Sequence, residues 1–66
     1  MSITLNGEPR SVPAGSRLVD LLERAGVDVR RIAVERNRVT VPRVDIQDLV
    51  VADGDAFEVV QFVGGG

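Results

Sequence analysis

Three consecutive glycines, Gly64, Gly65 and Gly66, end the sequence, and the α-carboxylate of Gly66 is its best-placed reactive group. Glycine has no Cβ, so a glycine backbone can enter a slot that any side chain would block. Three extended residues reach roughly 10 Å. A carboxylate on such a stalk suits insertion into a partner's active site. There it could attack the α-phosphate of ATP to give an acyl-adenylate, a mixed anhydride open to nucleophiles such as a sulfur donor. The product would be a thiocarboxylate on Gly66, with ATP and Mg²⁺ used by the partner and no cofactor bound by the chain itself. A frayed end is the competing reading of three glycines, and the elements that precede them argue against it.

Few other residues can do chemistry. The 66 residues contain no Cys, no His, no Tyr and no Lys; all eight basic residues are Arg. Thiolate metal sites and disulfides are excluded, as are the usual general base and Schiff-base chemistry. No metal site is expected. Asp53-Gly54-Asp55 reads as a turn rather than a ligand pair. Gly7, Gly15 and Gly26 have no phosphate-binding spacing. Arg30, Arg31, Arg36, Arg38 and Arg43 fall in the middle third and read as a solvated face. The net charge of −2 gives no field for nucleic acid. No apolar run is long enough for a signal peptide or a membrane span, so a soluble, cytoplasmic protein with no membrane partner is expected. An enzyme is not expected.

The elements that would carry the glycines follow from pattern. A chain this short holds one core, assigned to residues 1–63, with 64–66 as a flexible tail. Ser2 to Leu5 alternates as a half-buried strand, and Asn6-Gly7 is a strong hairpin signal. Glu8 to Val12 is the return strand, with Pro9 confined to an edge. Ser16 is the expected N-cap of one helix over about Arg17 to Ala25, with Leu18, Val19, Leu21, Leu22 and Ala25 as its apolar stripe and Gly26 as its stop. Ile32-Ala33-Val34 suits a central strand, Arg36-Asn37-Arg38 a turn and Val39-Thr40-Val41 another strand. A helical turn in a crossover is expected over Val44 to Leu49, packed by Val44, Ile46 and Leu49. Ala56 to Val63 is the last strand. Its face carrying Val60 and Phe62 leaves apolar side chains just before the tail, which suggests a partner-binding patch. Cover by loops on both faces is the alternative. The whole describes an α+β fold, a ubiquitin-like β-grasp with a mixed sheet of four or five strands and one main helix.

On these residues the sequence resembles the ThiS family of thiamine-biosynthesis sulfur carriers. The resemblance spans the chain through Ile3-Thr4-Leu5-Asn6-Gly7, Leu21-Leu22, Ala33-Val34-Glu35-Arg36-Asn37, Val41-Pro42-Arg43, Asp53-Gly54-Asp55 and Gly65-Gly66. It implies a protein co-substrate whose partners are a ubiquitin-activating-like adenylyltransferase, a sulfur donor and thiazole synthase. Two features depart from the family pattern: Gly64 precedes the terminal pair, and the crossover lacks an aromatic residue. The alternatives sharing fold and tail are a molybdopterin-synthase small subunit, another ubiquitin-like sulfur carrier and a protein modifier. An inert interaction module is a further one.

Overall fold

The computed structural model describes residues 1–62; Val63 and the glycines 64–66 lie outside the described residues. The alternating N-terminal segment forms β1 (Ser2–Leu5) and β2 (Glu8–Ser11), joined by a two-residue turn in which Asn6 and Gly7 have φ of 50° and 81°. Positive φ at both central residues matches the right-handed twist of the flanking strands, which is why Asn-Gly is favoured there. Pro9 sits opposite Thr4. The Thr4 N–H donates to the Asp55 carbonyl on the other side of β1. Pro9 therefore occupies a position whose backbone nitrogen faces away from the ladder, on an edge strand.

The main helix, α1 (Leu18–Arg24), is followed by a 3₁₀ turn (Val29–Arg31), β3 (Ile32–Arg36), β4 (Val39–Thr40), a short α2 (Arg43–Ile46) and β5 (Ala56–Gln61). The five strands lie in the order β2-β1-β5-β3-β4, with β5 parallel to β1 and antiparallel to β3. One face of the sheet buries Ile3, Ile32, Val34 and Phe57 against Leu18, Val19 and Leu22 of α1, and Ile46, Leu49 and Val51 of the crossover complete the core. Among the described residues no helix is long and apolar enough to cross a membrane.

Several local expectations change. Ser16 does not cap α1: its hydroxyl donates to the Pro13 carbonyl at 2.6 Å, and Arg17 holds the N-cap position. Tertiary pairing supplies what a cap would, because the Leu18 N–H donates to Leu49 O, and an isolated bridge joins Arg17 to Val50. At the other end Gly26, at φ 83°, closes a Schellman motif: its N–H reaches Glu23 O and the Val27 N–H reaches Leu22 O. The buried stripe is Leu18, Val19 and Leu22, while Leu21 is half-buried and Ala25 is exposed. In the crossover Ile46 and Leu49 are buried as expected, but Val44 is 83% exposed. Four helical residues can present only one side to the core, and Ile46 takes it.

Asp55 is the one buried charged residue described, at 7% exposure. Its Oδ2 accepts from Arg36 Nη2 at 2.7 Å, from Arg36 Nε at 3.0 Å and from the Ala52 N–H at 2.8 Å. Its Oδ1 accepts from Asn37 Nδ2 at 3.2 Å. Burial alone would raise the carboxyl pKa, but the bonds from Arg36, Ala52 and Asn37 together outweigh it and hold the group below its ordinary value. The folded protein thus binds this proton less tightly than the unfolded chain. The stabilisation is complete above the ordinary carboxylate range near 3.8 and is lost as pH falls through the lowered folded value. Asp55→Asn is expected to cost about 2 kcal/mol at neutral pH, since it leaves the Arg36 guanidinium without its anion. Melting curves from pH 7 down to acid should show the variant losing less stability on acidification than the wild type. Equal acid sensitivity would assign that loss to other carboxylates.

Candidate functional site

The site is the end of β5 that leads to the glycines. Alternation along this strand separates its two faces. Phe57 is fully buried and Val59 half-buried on the core side, whereas Val60 is 60% and Phe62 52% exposed on the other. Because α1 and the crossover cover the first face only, the second face stays open, and the reading in which loops cover both does not apply to these two residues. Ala33 stands directly opposite Val60 on β3, so an apolar strip of Ala33, Val60 and Phe62 faces outward.

Two asparagines fix β5 at this place in the sheet. Asn37, in the β3–β4 turn at φ 51°, accepts the Ala56 N–H on Oδ1 at 2.9 Å and donates its own N–H to the Ala56 carbonyl. Asn6 acts from the opposite hairpin. Its side chain accepts the Val59 N–H at 2.7 Å and donates to the Val59 carbonyl at 3.1 Å. The amide thereby imitates one more residue of β1, pairing with β5 beyond the point where the β1 backbone has turned away. On the other side the ladder to β3 continues, with the Phe62 N–H donating to Arg31 O at 2.8 Å. The strand is therefore held on both sides as far as Val59 and by β3 alone as far as Phe62. Sequence reasoning assigned Asn6 and Asn37 only to turns. Their side-chain partners on β5 left no local pattern to find, since Asn6 and Val59 are 53 residues apart.

The remaining candidates have structural roles. Asp53 accepts the Ser2 N–H at 2.8 Å and Asp55 forms the buried network, so the Asp-Gly-Asp segment is a turn. The arginines of the middle third are not one solvated face. Arg36 binds Asp55 and lies 5.9 Å over the Phe57 ring, and Arg43 donates to the Arg30 and Ile32 carbonyls. Arg30 is largely exposed and pairs with Asp28. Gly64, Gly65 and Gly66, the proposed reactive tail, lie outside the described residues.

A single helix lying across a five-stranded mixed sheet, with the first and last strands parallel at its centre, defines a ubiquitin-like β-grasp domain. The sequence matches the ThiS family over residues 3–66. A sulfur carrier protein ThiS of Thermus thermophilus is 38% identical over 64 residues, covering 97% of this chain and 98% of that one. The crystal structure of a thiamine biosynthesis protein (ThiS) from Geobacter metallireducens superposes with a TM-score of 0.78 at 33% identity, covering both chains fully. The chain belongs to the ThiS family. It is also 44% identical over all 66 residues to thiazole synthases of Paramagnetospirillum magneticum and Magnetococcus marinus, and spans 20% of the length of each.

Proposed function

We propose that this chain is the sulfur carrier of thiamine biosynthesis, with Gly66 as the carrying residue. The observation that most supports this reading is the end-to-end likeness to a sulfur carrier protein ThiS, together with a family match that runs through residue 66. The α-carboxylate of Gly66 attacks the α-phosphorus of ATP in the active site of an adenylyltransferase. The bond to the bridging oxygen breaks, pyrophosphate leaves with Mg²⁺, and an acyl-adenylate remains. A sulfide-level donor, delivering HS⁻, then attacks the glycyl carbonyl, the carbonyl C–O bond to the phosphate breaks as AMP leaves, and loss of the S–H proton gives the thiocarboxylate. Thiazole synthase accepts that sulfur. The likeness to two thiazole synthases supports this last partner, because in those proteins a homologous segment belongs to the same chain.

The carrier catalyses none of these steps. Its fold presents the tail, and the strip of Val60 and Phe62 docks on the adenylyltransferase. ATP–pyrophosphate exchange by the cognate adenylyltransferase, measured against carrier concentration, tests the first step. Exchange that depends on the carrier is expected; its absence would contradict the proposal. Phe62→Glu is expected to raise the carrier's KM in this assay at least about tenfold, equivalent to roughly 1.4 kcal/mol of docking energy. Its melting temperature should stay near that of the wild type, because Phe62 is half exposed and lies outside the core. A collapsed fold would place Phe62 in the core instead.

A further inference from the structure

The outer sheet face has an electrostatic feature that folding does not use. Glu35 and Glu58 are directly opposite each other on β3 and β5. Both side chains are exposed on the face that carries Val60. Like charges in directly opposed strand positions are destabilising. Neither carboxylate is in a salt bridge among the described residues, although the chain has eight arginines. Around them the face is made of small neutral residues: Thr4 and Ala56 on one side, Thr40 beyond Glu35, and Ala33 toward the tail. Arg31 is the cation nearest this face in the ladder: it stands opposite Phe62 in the continued β3–β5 register, at the tail end and four residues from Glu35, and it pairs with neither glutamate. Of the other arginines, Arg17 holds the N-cap position of α1 and Arg24 ends that helix, Arg30 pairs with Asp28, Arg36 is turned to Asp55, and Arg43 is bonded to backbone carbonyls. A flat uncovered face thus holds an apolar strip and, two residues back along β5, an uncompensated carboxylate pair. Residues two apart on a strand are about 7 Å apart on one face.

We infer that Glu35 and Glu58 form the receptor for a basic side chain of the adenylating partner, an arginine or lysine that lies about 7 Å from the apolar cleft receiving Val60 and Phe62. This rests on the carrier reading and deepens it by naming the partner's chemistry. The partner's cation relieves the repulsion across the ladder on docking, so the charge pair favours the complex over the free carrier. With the apolar strip at the tail end and the acidic pair farther back, the face also has a direction. Only one orientation of the carrier matches both features, and in it the glycines point into the partner's active site.

The test exploits opposite expected effects on folding and docking. Glu58→Arg replaces a repulsion with an attraction to Glu35 inside the carrier, so its melting temperature should hold or rise. In the ATP–pyrophosphate exchange assay the same variant should raise KM for the carrier about tenfold with kcat unchanged, since the carboxylate touches the partner and not the reacting atoms. Glu58→Gln, which preserves shape, should give a smaller rise in KM. Added salt should raise KM for the wild type more than for either variant, because screening weakens only a charge pair that is present. If both variants keep KM within about twofold of wild type, the receptor assignment is overturned while the carrier reading stands. If the wild type itself supports no exchange, the carrier reading fails and the assignment fails with it.

Discussion

Deletion of Gly65 and Gly66 is expected to abolish sulfur uptake completely while leaving the melting temperature unchanged. Both halves follow from where the deleted residues lie. The core consists of side chains between Ile3 and Phe57, and the last described backbone bond of the sheet is made by the Phe62 N–H. Neither glycine has a side chain to add to that core. Yet the chain has no Cys to hold sulfur elsewhere, and its remaining carboxylates belong to Asp and Glu side chains. Electrospray mass measurement after incubation with ATP, Mg²⁺, the adenylyltransferase and a sulfur source reads the first effect, and a thermal melt reads the second. A milder form of the same expectation is that Gly65→Val impairs activation, since a β-branched residue adds bulk and restricts the backbone where passage is narrow. A deletion variant that still gained sulfur would move the carrying residue off Gly66.

Phe57→Ala should unfold most of the protein at room temperature. Phe57 is fully buried, lies under the Arg36 guanidinium, and is the largest side chain in the core. Removing a buried phenylalanine ring typically costs about 3–5 kcal/mol. A domain of this size rarely derives more than about 3–5 kcal/mol from its core, and no disulfide supplements it here. The two quantities are comparable, so the variant should have little native signal by circular dichroism and collapsed amide dispersion by NMR. A cooperative transition displaced by less than about 1 kcal/mol would mean that β5 is not the packing centre of the sheet.

The contrast between Phe57 and Phe62 shows what was legible from residue order. Period-two alternation along Ala56–Gln61 separated a core face from an outer face, and the structure places Phe57 inside and Val60 and Phe62 outside. Asn6-Gly7 and Gly26 marked a turn and a helix stop by backbone chemistry that acts locally, so each could be read from its neighbours alone. Ser16, Val44 and Asp55 were misread or read incompletely for a common reason. Ser16 loses its capping role because the distant crossover supplies the helix with the Leu49 carbonyl. Val44 loses its packing role because the turn it sits in is too short to bury two sides. Asp55 looked like half of a turn motif and is also the anchor of Arg36, 19 residues away. The Glu35–Glu58 juxtaposition depends on strand register, which no local pattern reports.

The carrying claim reduces to one group, the α-carboxylate of Gly66, and intact-protein mass spectrometry reads it directly. Incubated with ATP, Mg²⁺, its cognate adenylyltransferase and a sulfur source, the wild-type protein should gain about 16 Da, the exchange of one oxygen for sulfur, with fragmentation locating the gain at Gly66. A mass that stays unchanged with every component active, or a gain located on any other residue, would contradict the account.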